Sequence, residues 1–506
     1  MTRSRTSRIG AVATVGAAGA MLLAAGTPAR ATDGYLTPQA PFITLTGAGS
    51  VTGIINSGDV VDGVEFQGLP DGVGIAPGAD RSTIDVYVAH EQTTVPFFGE
   101  ADFEDSSVTK LTLSTNDASV LGAEVAVSPD LGYLRFCSAA MVGPAEGFST
   151  YTFFTGEETN DIVDVPADAP YGADPAIAPL RQGGYVVALN TETGESAPIA
   201  GMGRLNHENT IALPGYNQLT MLTTDDTFSA TTSQLYMYLA NQESHVWQDK
   251  GSLWAFQVTR TDDGPIDPRD AFNDANDYLD IQPGDDWQGR FIRVPKEIAR
   301  GTTGDAPQDA LENWSNENNV FQFIRLEDLA YDKNDPSVVY VADTGASRVV
   351  PDPTTGRMVR GPGGTAGLAD HGRMFRFEFD PTNPRQVNSF SVLADGDAPG
   401  TPEFVGFTSP DNVDTSVNSI MVQEDTDEAA IWRYDLASGD WTVVATVNDP
   451  DGESSGIVDA SASFGPGSWL LTVQGHGANV REEIDADGVL RKLESGQLML
   501  MNLPGS

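Results

Sequence analysis

Side chains that can bind metal ions recur in this sequence at the ends of short apolar segments. The set comprises His90-Glu91, Glu157-Glu158, His207-Glu208, Asp225-Asp226, Arg325 with Glu327-Asp328, Asp411-Asn412, Glu424-Asp425, and Gln474 with His476. Taken singly, an acidic pair at such a position is typical of a turn or a cap. Taken together, the pairs predict carboxylates that converge on one site.

Convergence of many carboxylates requires cations, because a buried charge without a partner is very costly. Calcium takes several carboxylate and carbonyl oxygens, so acids from distant strand ends would suit it. Iron or another transition ion would add imidazole or thiolate ligands. Cys137, in the segment RFCSAA, is the one thiol of the chain. Its alternative role is that of a small buried hydrophobic residue.

The elements that must position these residues are predicted to be β-strands. The apolar segments are short, rich in Val, Thr, Phe and Tyr, and separated by Gly, Pro, Asp and Asn, which is the pattern of strands and turns. The clearest examples are 84–89, 151–155, 234–240, 252–258, 337–342, 373–379 and 468–473. Amphipathic helices are scarce, and one short helix is expected within 295–316.

A local theme also repeats, namely an acidic turn, an apolar strand and a second strand that ends in an aromatic pair. It occurs as LEDLAYDKNDPSVVYVADTG with GRMFRFEFDP, as DNVDTSVNSIMVQED with AAIWRYDL, and as SQLYMYLANQ with GSLWAFQV. We interpret each pair as an inner strand beside a middle strand of a four-stranded unit. The sequence therefore predicts an all-β fold, a single large β-propeller domain over 32–506. The segments 264–286 and 351–370 are predicted to be surface insertions, and the number of blades stays open.

Composition and the N-terminal segment restrict the location and the partners. Three arginines in the first eight residues precede an uncharged run over 9–26 and the sequence ARA at 29–31. This pattern predicts a cleaved signal peptide over 1–31 and a secreted or extracytoplasmic protein. No later segment is long and apolar enough to span a bilayer. The 28 Lys and Arg against 72 Asp and Glu, a formal charge of -44, argue against nucleic acid and anionic lipid as partners.

Other familiar chemistries lack their motifs in this sequence. There is no cysteine pair for structural zinc or for an internal disulfide, no Walker-type glycine loop, no H-E-x-x-H and no G-x-S-x-G. The segment GMG at 201–203 is an isolated fragment of a nucleotide-binding loop. A serine nucleophile stays open as an alternative, although no serine stands in a recognisable setting. The motifs favour a carboxylate site for metal ions, and the oligomeric state is not indicated.

The order of the motifs resembles the PhoX-type alkaline phosphatases over nearly the whole mature chain. The family's N-H-E segment, N-C-A/S-G-G-like stretch, C-E-E strand end and G-R-F-x-H-E segment resemble YVAHEQ, RFCSAA, FFTGEE and GRLNHE. Its G-D-D segment before a Y-x-Y-K-F strand resembles TDD before LYMYLA. Its R-P-E-D, P-D-N, E-x-T-G and Q-H-P-G segments resemble RLED, SPDNV, ESSG and VQGHG.

The resemblance implies a propeller phosphatase that hydrolyses small phosphate monoesters at a central site with a ferric iron pair and calcium ions. By position, it implies Cys137, Glu158 and Glu208 as ligands of Fe3+, and Glu327 with neighbouring acids as ligands of Ca2+. Asp226 and Asp425 would join these metal-binding acids. Arg325 would be the catalytic residue that contacts the phosphoryl oxygens.

Three departures from the family pattern keep other functions open. Gly156 stands where the family has a second cysteine, the basic residue of the Y-x-Y-K-F strand is missing at Met237-Tyr238-Leu239, and the leader lacks adjacent arginines. One alternative is another calcium-dependent propeller hydrolase, such as a phytase or a lactonase-like esterase. The other alternative is a calcium-binding propeller without catalytic activity.

Overall fold

The chain folds into short antiparallel strands, and some strands in the middle of the sheets are buried along their whole length. Leu235–Ala240 (LYMYLA) and Val338–Asp343 (VVYVAD) are buried at every position. Such a continuous buried run means that both faces of the sheet are covered. The structure is a computed structural model that describes residues 34–92, 105–167, 169–227, 232–267, 275–427, 429–448, 452–484, 488 and 490–505. The predicted signal peptide at 1–31 lies outside the described residues.

The strands form six blades, and each blade is a sheet of four strands with one strand innermost, next to the central channel. From the inner strand outwards, the blades consist of Pro70–Pro77, Thr83–His90, Ser107–Ser114 and Val120–Val127 (blade 1); Phe136–Val142, Thr152–Glu157, Val186–Asn190 and Ser196–Pro198 (blade 2); His207–Leu213, Leu219–Asp225, Leu235–Ala240 and Ser252–Thr261 (blade 3); Leu326–Tyr331, Val338–Asp343, Arg373–Asp380 and Asn383–Asp395 (blade 4); Pro410–Thr415, Ser419–Glu424, Ala430–Asp435 and Trp441–Val447 (blade 5); and Gly452–Asp459, Ser468–Ile484, Leu490–Asn502 and Ser50–Asn56 (blade 6).

The six inner strands surround a central channel and close into a ring. Each inner strand contacts those of the two neighbouring blades, and the inner strand of blade 6 contacts that of blade 1. The N-terminal strand Ser50–Asn56 pairs with Leu490–Asn502 as the outermost strand of blade 6, so the two ends of the chain meet in one sheet. A further strand, Ile43–Leu45, adds to the edge of blade 5. The predicted all-β propeller is confirmed, and it has six blades.

Blades 3 and 4 are joined into one sheet. The strand Trp287–Arg293 pairs with Ser252–Thr261 of blade 3 on one side and with Asn383–Asp395 of blade 4 on the other. A cluster of phenylalanines fills the space between the two blades. The ring centroids of Phe256 and Phe377 are 5.2 Å apart, within the range in which aromatic pairs stabilise a core by about 0.5–1.5 kcal/mol each. These contacts fix the two blades against each other.

The remaining elements are short and lie in the connections between strands. The α-helices are Glu243–Trp247, Lys296–Ala299, Pro307–Glu317 and Ser461–Phe464, and the 3-10 turns are Pro129–Leu131, Pro144–Glu146 and Ala200–Met202. Small ribbons pair Val60–Val61 with Val64–Glu65, Ile162–Val163 with Arg181–Gln182, Val349–Pro351 with Met358–Arg360, and Gly264–Pro265 with the outermost strand of blade 3. Within the described ranges, no helix is both long and apolar enough to cross a membrane.

Most sequence-based assignments of elements agree with the structure. The helix expected within 295–316 is a pair of short helices, and the insertion at 351–370 lies between the second and third strands of blade 4. The assignment of SQLYMYLANQ and GSLWAFQV to an inner and a middle strand is wrong, because they form the third and fourth strands of blade 3. The inner strand of that blade reads HENTIAL. Its polar start faces the channel and breaks the apolar theme that guided the prediction.

Candidate metal centre

Every inner strand carries a potential metal ligand as its second residue. In the order of the blades, these residues are Asp71, Cys137, Glu208, Glu327, Asp411 and Glu453. We call them the first ring. All six line one cavity of about 1330 Å³ at one end of the central channel. The repeated position in the strand places six side chains, from residues up to 382 positions apart in the sequence, around one axis.

A second ring comes from the second strand of each blade, from the residue that follows the pairing partner of the inner strand's first residue. Its members are Glu91, Glu158, Asp226, Thr344, Asp425 and His476. The pairing of strands explains their position. In each blade, the first residue of the inner strand pairs with a residue of the second strand, and the second-ring member comes directly after that partner. Pro70, for example, pairs with His90, and Pro410 pairs with Glu424. The next residue on either strand therefore reaches the same end of the channel. In place of a carboxylate, blade 4 contributes a hydroxyl and blade 6 an imidazole.

A β-bulge at the start of the inner strand accompanies the first ring in five of the six blades. In blade 3, for example, His207 pairs with Asp225 and Thr210 pairs with Thr223, so that Glu208 and Asn209 lie opposite a single residue. The same shift occurs after Pro70, Phe136, Leu326 and Pro410. A bulge interrupts the alternation of faces and redirects a side chain. In these five blades it allows the second residue of the inner strand to face the channel.

The two members of an acidic pair have different functions. Glu157 accepts hydrogen bonds from the backbone amides of Leu134 and Tyr185 at 2.9 and 3.1 Å and is paired with Arg181. Glu424 accepts bonds from the amide of Ala430 at 3.0 Å and from the indole of Trp432 at 2.8 Å. These first members hold their own blade together. The second members, such as Glu158, are left for the channel.

The ligand atoms of the two rings lie close enough to share metal ions. Four groups of three residues have ligand atoms that all lie within 4.8 Å of one another. The groups are Asp71 with Glu91 and Cys137, Cys137 with Glu158 and Glu208, Glu158 with Asp226 and Glu327, and Glu208 with Glu327 and Asp411. They overlap in Cys137, Glu158, Glu208 and Glu327, so the groups form one continuous set of ligands.

Several carboxylate oxygens in this set are buried and lack a hydrogen-bond partner among the described residues. They are Oδ1 of Asp71, Oε2 of Glu208 and Oδ1 of Asp411. Buried polar atoms are almost always satisfied in folded proteins, and an exception demands an explanation. Each of these oxygens comes from a different blade and faces the same cavity. An oxygen-rich donor set with free lone pairs fits hard cations, and the thiol of Cys137 adds a donor suited to a transition ion.

The pKa values of the residues at the site are shifted because many buried acids lie together with few positive charges. Burial raises the pKa of Glu208 to about 8, and the charge of Glu453 together with burial raises the pKa of Asp425 to about 8. Burial, followed by neighbouring acids, also raises the pKa of Asp71 and of the Cys137 thiol well above their usual values. A bound cation favours the charged forms and would reverse these shifts.

Two arginines precede the inner strands of blades 2 and 4 at equivalent positions. Arg325 donates from Nε and Nη2 to the two carboxylate oxygens of Asp226, at 2.8 and 2.6 Å. Its Nη2 also lies 3.2 Å from Oε1 of Glu327 without hydrogen-bond geometry. Arg135 lies 3.6 Å from Glu91. Both guanidinium groups line the cavity, where they are placed to meet an anion.

A hydrogen-bonded layer lies directly below the first ring. The hydroxyl of Ser138 donates to Glu208, and Asn412 donates to that hydroxyl at 2.7 Å. Asn209 donates to Asp328, which also accepts the backbone amide of Val413 at 2.8 Å. These residues follow the first-ring positions in their strands and link blades 2, 3, 4 and 5. The layer holds the first ring in place, as partners of metal ligands commonly do.

The histidines of the His-Glu pairs are structural. His90 is fully buried between the carbonyl oxygen of Gly68 and the hydroxyl of Thr109, at 3.2 and 2.9 Å. His207 is held in the same way by Thr223 and Gly203. Burial lowers the pKa of His90 to about 4 and that of His207 to about 3. Both rings are therefore neutral, and only the adjacent glutamates face the cavity.

The structure brings all the predicted site residues together. Cys137, Glu158, Glu208, Asp226 and Glu327 belong to the ligand groups, and Arg325 and Asp425 line the same cavity. Asp71 is a member that sequence reasoning missed. A signal for it exists, because Pro70-Asp71-Gly72-Val73 repeats the pattern of Pro410-Asp411-Asn412-Val413 in front of a strand. Glu91, Asp411 and Glu453 were part of recognised motifs without being predicted as ligands.

No family model and no curated protein matches this sequence. The fold is similar to solved structures that include the GH93 α-L-arabinofuranosidase of Fusarium graminearum in complex with arabinobiose, with a TM-score of 0.38, 11% identity, and 85% of this chain and 92% of that chain covered. Another is the NanB sialidase of Streptococcus pneumoniae, with a TM-score of 0.39, 7% identity, and coverage of 91% and 71%. A third is Saccharomyces cerevisiae Sqt1, with a TM-score of 0.30, 8% identity, and coverage of 86% and 97%. At these scores the similarities give no information about the site.

Proposed function

We propose that this protein is a metal-dependent hydrolase that cleaves phosphate monoesters with calcium and ferric iron at the two rings. The observation that carries this proposal is the convergence of a thiol and nine carboxylates, five in the first ring and four in the second, around a cavity that also holds guanidinium groups. The resemblance of the motifs to PhoX-type alkaline phosphatases supports the same activity.

The composition of the ligand groups suggests which ions each side of the site would hold. Asp71, Cys137, Glu158 and Glu208 combine a thiolate with carboxylates, and such a mixed set suits iron. Asp226, Glu327 and Asp411 offer only oxygen atoms, and Asp425 lies on the same side of the cavity. A set of several carboxylates suits calcium, which accepts irregular geometry.

Charge explains why the cations are needed for substrate binding. The cavity is lined by Asp71, Glu91, Glu158, Glu208, Glu327, Asp370, Asp411, Asp425, Asp427, Glu453 and Glu494, against Arg135, Arg325, Arg360 and His476. Such a surface repels a phosphate group unless the acids are neutralised. The ions, when bound, would supply positive charge for the phosphoryl oxygens and activate the attacking water.

The protein's own groups would orient the phosphate and hold its charge. Asp226 fixes the guanidinium of Arg325 through Nε and Nη2, which leaves Nη1 without a hydrogen bond to the described residues. A guanidinium held in this way can stabilise charge on the equatorial oxygens without reorganising during the reaction. The hydrogen-bonded layer below the first ring would keep Glu208 in position through Ser138 and would hold Asp328, the neighbour of Glu327.

Elemental analysis combined with a phosphatase assay tests the proposal. The purified mature protein should contain iron and calcium, and it should hydrolyse 4-nitrophenyl phosphate. A chelator should abolish turnover, and re-addition of the ions should restore it. Cys137→Ser should lower the iron content while the calcium content stays near that of the wild type, and Met237→Leu, far from the site in the third strand of blade 3, is the control. Calcium alone, with no turnover of the ester in its presence, would contradict the proposal and favour a calcium-binding propeller.

A further inference from the structure

The connection between the second and third strands of blade 4 forms one wall of the cavity. It contributes Thr344, Gly345, Ala346 and Ser347 near its start, and Arg360 and Asp370 near its end. Between them lies the ribbon of Val349–Pro351 and Met358–Arg360. This segment contributes no ligand to the groups described above, so its side chains are available for contacts with another part of a substrate.

The ribbon is anchored to the body of the propeller. The side chains of Val349 and Met358 are 1% and 5% exposed, and the amide of Met358 donates to Asp277 at 3.0 Å. The amide of Gly361 donates to the carbonyl oxygen of Arg348 at 2.8 Å. Arg360 therefore extends from a fixed backbone, so binding a ligand there does not have to order the backbone of the ribbon.

Arg360 differs from the other two arginines of the cavity. Arg325 and Arg135 face carboxylates of the rings. Arg360 is exposed at the cavity wall, and its guanidinium forms no hydrogen bond or ion pair with the residues that the structure describes. Eleven acidic residues line the cavity, and a guanidinium in its wall that pairs with none of them is open to an anionic group of a ligand. Its planar group can bind a carboxylate or a phosphate through two parallel hydrogen bonds.

The size of the cavity leaves room for such a second group. Its volume of about 1330 Å³ exceeds the roughly 300–1,000 Å³ of typical small-molecule sites. A phosphoryl group held at the two rings would fill a small part of it, and the leaving group would extend towards the wall. Resting on the proposed phosphatase function, we infer that the preferred substrate carries a second anionic group on its leaving group, and that Arg360 binds this group.

A matched pair of aryl phosphates tests the inference. 4-Nitrophenyl phosphate and 4-carboxyphenyl phosphate have leaving groups of nearly the same shape, but only the second carries an additional negative charge. Arg360→Ala should lower kcat/KM for the carboxyphenyl ester by roughly 10- to 100-fold, the loss expected for a hydrogen bond to a charged group, mainly through a higher KM. It should leave the nitrophenyl ester within about twofold. Arg360→Lys should retain part of the preference, and Arg376→Ala, on the third strand of blade 4, is the control.

Each outcome separates this inference from the function on which it rests. Equal losses with both esters would place Arg360 at the phosphoryl group and overturn the inference, as would no loss with either. If the wild type hydrolyses neither ester in the presence of iron and calcium, the phosphatase function itself fails, and the inference fails with it.

Discussion

The two ends of the central channel are built from the same six strands but differ in the side chains that face the channel. One end is the candidate metal centre, formed by the second residue of each inner strand. The other end, which we call the apolar end, opens into a cavity of about 840 Å³. Each blade contributes an apolar side chain to its wall, beside charged residues such as Asp80 and Lys333; the apolar side chains are Ile75, Met141, Ile211, Leu329, Val413 and Ile457. Along each inner strand, the candidate ligand and the apolar side chain of the other end are therefore only two to four positions apart.

The difference between the two ends shows how a propeller can combine a stable fold with a polar site whose acidic groups repel one another. Three residues of a strand span about 10 Å, and within that distance the layer of Ser138, Asn209, Asp328 and Asn412 separates the two ends. The apolar end and the interfaces between blades supply the free energy of folding. The acidic end can then hold groups that repel one another, as functional sites often do. Substitutions at the two ends should affect different properties.

The largest effect is expected from Glu208, because it belongs to two of the ligand groups. Glu208→Gln keeps the shape of the side chain and removes its charge. We expect turnover of 4-nitrophenyl phosphate to fall by more than the roughly 100-fold that is typical for loss of a partner of a metal ligand. The metal-free variant should be at least as stable as the metal-free wild type, since one repelling acid is gone. A loss of stability with retained turnover would reverse the assignment.

Arg325 is expected to show the next largest effect at the same end. Arg325→Ala should lower kcat by roughly 100- to 1,000-fold, the range for a group that stabilises charge in a transition state. Arg325→Lys should rescue little, because an ammonium group cannot replace the planar fork that binds phosphate. Unfolding in urea, compared with activity, checks the assignment. Proportionate losses of stability and activity would show that Arg325 has a structural role through Asp226 instead.

At the apolar end, Ile211 lies on the same strand as Glu208, and the comparison predicts the opposite behaviour. Its side chain is 7% exposed and packs in the core between blades 3 and 4. Ile211→Ala should reduce the free energy of unfolding by about 2–5 kcal/mol through the cavity it leaves. Turnover measured well below the unfolding temperature should stay within about twofold. A large loss of kcat with little change in stability would show that the two ends are coupled.

The buried strands and the carboxylate site could be predicted from the sequence. The acid of each pair that faces the channel could not be predicted, for a physical reason. Runs such as VVYVAD and LYMYLA predict buried strands, and the acidic pairs after them predict a carboxylate site. Sequence alone does not show which member of a pair faces the channel. Glu157 and Glu158 look alike in the sequence, and the choice depends on the backbone amides and the arginine that meet Glu157 in the fold. Asp71 escaped notice because a Pro-Asp-Gly segment is equally typical of a turn.

The smallest effect concerns the pH dependence of stability in the metal-free protein. Burial raises the pKa of Glu208 to about 8, well above the value of about 4.3 for an unfolded glutamate. The folded state thus binds more protons than the unfolded state between about pH 4.5 and 8, and its stability must fall as the pH rises through this window. Bound calcium keeps the same groups ionised in the folded state, so the loaded protein should lose this decline or reverse it.

Urea midpoints at pH 5, 6, 7 and 8, in salt that screens the surface charges, measure the stability of the metal-free and the loaded protein. Glu208→Gln should flatten part of the slope of the metal-free protein. A metal-free protein that becomes more stable from pH 5 to 8 would show that the acids at this end of the channel are already neutralised by groups of the chain itself.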